Sequence, residues 1–264
     1  RFGKSIFLSM LRTYYDIAQK EKFEKRFSNL WIGSRPTQLQ GTFQILFLDF
    51  SRVGGLDRTL AENFDDYCCG GLDDFASIYE PYYYPGFEEE MKAQYGTTNK
   101  LNFLDRKARN NGSKLYLIVD EYDNFTNVVL NEQGDKVYHA LTHASGFYRE
   151  IFKKFKGMFE RIFMTGVSPV TLDDLTSGFN IGWNISTDHQ FNMMLGFSET
   201  DVREMIQYYK DAGQLPGNTN IDAMIEEMRP WYDNYCFAEE SLERDPKMFN
   251  CDMVFYYLRH YMTL

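Results

Sequence analysis

The sequence predicts an α/β fold built on a parallel sheet, and three apolar stretches predict it. Lys114 to Asp123 (Lys-Leu-Tyr-Leu-Ile-Val-Asp-Glu-Tyr-Asp) is a run of strand length that ends abruptly in adjacent carboxylates. Phe43 to Phe50 is a second run, with Asp49 near its end and Ser51 after it. Phe159 to Pro169 is a third, and it ends in small polar residues. Runs that are apolar throughout, rather than alternating, belong to strands covered on both faces, as in parallel α/β sheets. Such sheets take ligands at the carboxyl ends of their strands. Asp120, Glu121, Thr165 and Ser168 therefore stand where a ligand would sit.

The elements follow in chain order. Lys4 to about Gln19 carries Ile6, Phe7, Met10, Leu11, Tyr14 and Ala18 at the spacing of an amphipathic helix. From Leu60 to about Ala108 the pattern is helical, broken by the Pro- and Tyr-rich turn Glu80 to Gly86. Tyr82, Tyr83 and Tyr84 there form either a stacking platform or, more commonly for such groups, packing at a helix junction. Asn110 to Ser113 reads as the turn into the central strand. Gly134 to Lys156 is helical again, and Lys153, Lys154 and Lys156 read as its solvated face. His139 and His143 fall four apart, but no HExxH motif or nearby cysteine accompanies them, so they read as helix surface or edge of core rather than metal ligands.

Beyond the third strand, Asn184 to Thr187 is expected to be a short further strand. Ser198 and Asp201 resemble a capping box that opens a helix over Glu199 to Ala212. Ile221 to Met228 is helical, Trp231 to Phe237 alternates around Asp-Asn as a hairpin would, and Asn250 caps a last helix over Asp252 to Tyr261. This places a core over residues 1–190, with a helical insert at about 60–108, ahead of a helical or winged subdomain over 191–264.

Composition bounds the function. The 264 residues are 44% hydrophobic and 17% aromatic, enough for a substantial core, and the formal charge of −10 disfavours non-specific binding to nucleic acid or anionic membrane. The cysteines (Cys68, Cys69, Cys236 and Cys251) lack CxxC spacing, which argues against a zinc ribbon and for a reducing, cytoplasmic setting. No signal peptide and no apolar run of membrane length is present.

The chemistry sits in two places. Gly3-Lys4-Ser5 opens the first helix, as the last residues of a P-loop do. A helix N-terminus attracts phosphate; the lysine would reach the β- and γ-phosphates and the serine hydroxyl would ligate Mg²⁺. Asp120 would hold the same Mg²⁺ through its water shell, Glu121 would polarise an attacking water, and Thr165 or Ser168 would help place that water. Arg149 and Arg161 are candidates for an arginine finger by location alone.

In this combination the chain resembles the AAA-ATPase-like proteins of bacteria, whose nucleotide-binding domain is typically followed by a PD-(D/E)xK nuclease-like domain. The resemblance rests on Arg1-Phe2-Gly3-Lys4-Ser5, Leu48-Asp49-Phe50-Ser51, Ile118 to Asp123, Phe163 to Ser168, Leu195-Gly196-Phe197-Ser198, Trp231 to Phe237 and Phe249-Asn250. It implies an additional-strand P-loop NTPase core with a C-terminal helical lid, binding ATP and Mg²⁺. By the same resemblance Gly3, Lys4, Ser5 and Asp120 are cofactor-binding, Ser5 and Asp120 metal-binding, and Glu121 and Thr165 catalytic. The family pattern puts the first half of the P-loop and its strand before Arg1, and the nuclease-like region after Leu264, so the chain is expected to be an inner stretch of such a protein. Tyr232-Asp233-Asn234-Tyr235 stands for the family's Tyr-Asp-Gly-Tyr, a mild change because Asn tolerates left-handed backbone. The implied activity is ATP hydrolysis that gates or drives a partner domain. The alternative is a nucleotide-sensing module with little hydrolysis, suggested by the aromatic insert at 60–108.

Overall fold

A computed structural model describes residues 2–53, 59–124, 127, 146–167, 182–245 and 247–263. They fall into two compact units: residues 8–181, and residues 1–7 together with 182–264. Ser168, His139 and His143 lie outside the described residues, as does the first part of the helix expected from Gly134.

The first unit is organised on β1 (Phe43–Asp49), β2 (Lys114–Asp120) and β3 (Arg161–Met164), all parallel, in the order β1-β2-β3. The α/β prediction holds, with a third strand of four residues, much shorter than the apolar run that announced it. Pairing of Asp49 with Asp120 brings β1 and β2 to a common carboxyl end. Among the described residues the far edge of β3 carries no strand.

Each face of the sheet has its own core. One is formed by helix α1 (Lys4–Tyr15), whose Leu8 is buried with Phe43, Ile45, Tyr116 and Ile118. Its last turn hands over to Asp16, which bridges to Phe43, and then to the short helix α2 (Phe23–Phe27). The other face is covered by the insert: α3 (Leu60–Tyr79), α4 (Phe87–Lys92) and α5 (Gly96–Asn111). Helix α6 (Phe147–Met158) joins that layer through Tyr148, Ile151, Phe152 and Phe155. Burying a phenylalanine as fully as Phe50, Phe64 and Phe87 are buried contributes about 2–3 kcal/mol each.

Local chemistry fixes the ends of the insert. Thr59 and Glu62 make a reciprocal capping box at the start of α3. Gly112, at φ +67°, ends α5, so the helix runs through Asn111 and the turn into β2 is tighter than the sequence implied. Tyr83 stacks on Phe87 with ring centroids 4.0 Å apart, and all three tyrosines of the Tyr82–Tyr84 cluster pack against the buried core. They are a helix junction, and the aromatic excess of the insert goes into packing. Buried Tyr79 reaches the sheet: its hydroxyl donates to Asp16 Oδ1 (2.9 Å) and accepts from the Ile45 N–H (2.9 Å).

The second unit holds α7 (Glu199–Asp211), α8 (Ile221–Tyr232) and α9 (Cys251–Thr263), with a two-stranded antiparallel ribbon of β4 (Asp233–Tyr235) and β5 (Met248–Phe249). The Ser198–Asp201 capping box forms as predicted, and Asn250 caps α9 through its side-chain oxygen, which accepts from the Met253 N–H (3.4 Å). Two expectations fail here. Asn184 to Thr187 is not a strand: the Asn184 side chain accepts from the Ser186 N–H and folds the segment into a turn. Trp231 to Phe237 is not a hairpin either. Trp231 and Tyr232 complete the last turn of α8, past Pro230, and β4 pairs with a strand well downstream rather than across Asp-Asn. Arg229 ties this corner together with ion pairs to Glu199 (2.9 Å), Glu226 (3.3 Å) and Asp233 (2.7 Å).

Candidate nucleotide site

β2 delivers Asp120 as its last residue, and the carboxyl group is almost wholly buried. Its Oδ1 accepts from the Thr165 hydroxyl at 2.6 Å and from the Glu121 N–H at 3.0 Å. Thr165 is the first residue after β3, and its own N–H continues the ladder to the Val119 carbonyl (2.9 Å). The sequence placed Asp120, Glu121 and Thr165 at neighbouring strand ends, and the structure brings all three together.

Glu121 has a backbone the sequence did not reveal. At φ +53° it is the one non-glycine residue with positive φ among the described residues. Left-handed backbone costs an ordinary residue about 1–2 kcal/mol, so something must hold it. The next residue does so: the Tyr122 N–H donates to the Thr165 carbonyl (3.0 Å), and the Tyr122 carbonyl accepts from the Tyr148 hydroxyl on α6. Such strain gathers at sites where geometry matters more than stability.

Asp123 and Gly166 were also missed as structural participants. Asp123 is fully buried, and its two carboxylate oxygens accept from the Val167 N–H at 3.1 and 3.0 Å. A Cβ at residue 166 would lie 2.4 Å from Asp123 Oδ1 and 2.5 Å from Tyr122 Cε1, so only glycine lets the chain pass here. The sequence signal was the second aspartate of Asp-Glu-Tyr-Asp, two residues beyond the acidic pair, with Gly166 next to Thr165.

Asp49, paired with Asp120 across the sheet, turns its carboxylate to local work. It accepts from the Ser51 N–H (3.1 Å) and hydroxyl (2.6 Å) and pairs with Arg52 (3.2 Å). Arg161 opens β3 opposite Tyr116, four residues before Asp120, which separates it from the strand ends by about 13 Å along the sheet. It is therefore at the wrong end for a finger within this chain. Arg149 lies in the first turn of α6.

Gly3, Lys4 and Ser5 belong to the second unit. Gly3 has φ +86°, a conformation that favours glycine, and its carbonyl accepts from the Phe7 N–H (2.9 Å). Lys4 and Ser5 form the first turn of α1, which contains no acidic side chain. Phe2 anchors this start: its carbonyl accepts from the Gly196 N–H (3.1 Å), and its ring meets Tyr235 and Phe237 edge-on at 4.5 and 5.3 Å.

These donor sets suit the groups the sequence implied. A helix start with positive dipole, a lysine and no competing carboxylate fits phosphate. The Asp120 carboxylate, paired with the Thr165 hydroxyl, offers the hard oxygen chemistry that Mg²⁺ takes. Among the described residues no cluster of His, Cys, Asp and Glu forms a dedicated metal cage, none of the cysteines is in a disulfide, and no helix is long and apolar enough to cross a membrane.

Comparison with known proteins gives the family. A curated protein of Azotobacter chroococcum mcd 1, described as "Uncharacterized protein in vnfD 5'region", is 27% identical over 133 residues, which cover 50% of this chain and 23% of that protein. The chain thus matches less than a quarter of the relative's length. No solved structure matches. The family model described as "Predicted AAA-ATPase" matches residues 1–176, two thirds of the chain, and the chain accordingly belongs to that family of nucleotide-binding proteins.

Proposed function

We propose that this chain carries the core of a Mg²⁺-dependent P-loop ATPase. The observation that carries the proposal is the Asp120–Thr165 pair, a buried carboxylate and a hydroxyl joined at 2.6 Å at adjacent strand ends, with Glu121 beside them. The strand order, in which the central strand carries the acidic pair and its neighbour carries the polar residue, supports the additional-strand class.

Each residue has a distinct task. Gly3 shapes the entry to the helix, so that Lys4 and the first-turn N–H groups bind the phosphates of ATP. By the family resemblance Ser5 and Asp120 are each proposed as ligands of Mg²⁺, which would neutralise charge on the β- and γ-phosphates. Glu121 orients and polarises the attacking water. Thr165 holds the Asp120 carboxylate in an aligned rotamer and sets the polar floor on which that water sits. Phosphoryl transfer needs little covalent help from protein, so this positioning is the main contribution.

The turnover is proposed to gate or drive a nuclease-like partner domain in the whole protein. The test is Mg²⁺-dependent ATP turnover by the full-length protein. Lys4→Ala should lose nucleotide binding, whereas Glu121→Gln should bind ATP and not hydrolyse it. Normal turnover in both variants would remove the proposal.

A further inference from the structure

We infer that Asp123 is a positioning residue of the ATPase centre: its buried carboxylate latches the exit of β3 to the exit of β2 and so holds Glu121 and Thr165 in working alignment. The inference rests on the proposed function and adds to it a residue beyond those assigned to nucleotide or metal.

The two strand exits are joined at three levels. Nearest the sheet, the Thr165 hydroxyl donates to Asp120 (2.6 Å). One step further, the Tyr122 N–H donates to the Thr165 carbonyl (3.0 Å). Beyond that, the Asp123 carboxylate accepts from the Val167 N–H with both oxygens, while Asn127 Nδ2 donates to Oδ2 (3.2 Å). The Asp123 carbonyl also accepts from the Asn127 N–H (2.8 Å). Glu121 thus lies inside a loop pinned on both sides, which accounts for its left-handed backbone. Gly166 is the counterpart on the opposite segment, because any side chain there would push on the Asp123 carboxylate.

A buried carboxylate is an expensive way to join two segments unless its placement matters. Hydrogen bonds from a backbone N–H to a carboxylate are stronger than those between neutral groups, so this latch fixes spacing rather than merely filling space. The distance it fixes is the one between the water-orienting glutamate and the threonine beside it.

The test measures ATP turnover and nucleotide affinity separately in the full-length protein. Asp123→Asn keeps the shape but offers one acceptor oxygen where two are used; kcat should fall about 10- to 100-fold while the Kd for ATP stays within about threefold. Asn127→Ala removes only the outer support and should lower kcat by a smaller factor, also at unchanged Kd. It decides the matter if Asp123→Asn does not fold. A folded Asp123→Asn, or an Asn127→Ala variant, with wild-type kcat would overturn the latch while leaving the ATPase reading intact. A parallel loss of affinity and rate would reduce Asp123 to general stability and overturn it too. Absence of turnover in the wild-type protein would instead remove the ATPase reading, and the latch with it.

Discussion

Thr165 donates its hydroxyl to Asp120 across 2.6 Å, joining two residues 45 apart in sequence at the ends of neighbouring strands. The bond ties the position of one strand end to the charge on the other. Removing it should therefore affect both chemistry and stability. Thr165→Val is expected to reduce kcat by about 10- to 100-fold with ATP affinity little changed, and to cost about 1–3 kcal/mol by urea unfolding, since Asp120 loses a donor while buried. Thr165→Ser keeps the hydroxyl and should stay within about threefold of the parent.

Glu121 pays for its position in backbone strain. Glu121→Gly should relieve the φ of +53° and raise stability by about 1 kcal/mol in urea unfolding, while turnover disappears. Loss of stability in this variant would show that the Glu121 side chain contributes more to the fold than its conformation costs.

Asp16 gives a pH dependence with a defined sign. Burial raises its carboxyl above the ordinary value of 3.8, against the opposing hydrogen bonds from the Ala18 N–H and Tyr79 hydroxyl and the charges of Arg12 and Lys22. A raised folded value means that the contribution of this group to stability is complete below the unfolded value and is lost as pH rises through the folded one. Asp16→Asn keeps an acceptor oxygen for both donors and removes the desolvated charge. Urea midpoints at pH 4 and pH 7 should show the variant gaining on the parent as pH rises, and a constant difference would contradict the assignment.

Lys100 is buried between α3 and α5, where its ammonium meets Asp73 at 2.5 Å and the Met91 carbonyl at 2.9 Å. Asp73→Ala strands that charge, and thermal or urea unfolding should show a loss of about 2–3 kcal/mol, below the full cost for a buried pair because Asp73 is partly solvated. A loss under about 1 kcal/mol would mean that the Met91 carbonyl and solvent suffice for the ammonium.

How much of this was legible in the sequence depended on the range of the interaction. The Ser198–Asp201 box and the apolar runs closing at Asp49 and Asp120 were readable because their signals are local. The same reasoning misread Trp231 to Phe237, where period-2 alternation was a helix end followed by three strand residues whose partner comes only at Met248–Phe249. It misread Asn184 to Thr187 because one Asn side chain outweighed strand propensity. Asp123 stood in view beside the acidic pair, yet its partner is the Val167 N–H, 44 residues away, which no local pattern announces. The left-handed turn at Glu121 was hidden for the same reason, since the contacts that hold it come from Thr165, just past β3, and from α6.

The central claim is that Gly3-Lys4-Ser5, read as the last residues of a P-loop, bind the phosphates of ATP. Calorimetric titration of the full-length protein with ATP, with and without Mg²⁺, tests it most directly. Saturable binding that depends on Mg²⁺ and disappears in Lys4→Ala is the predicted result. Absence of binding, or binding that Lys4→Ala leaves intact, would contradict it.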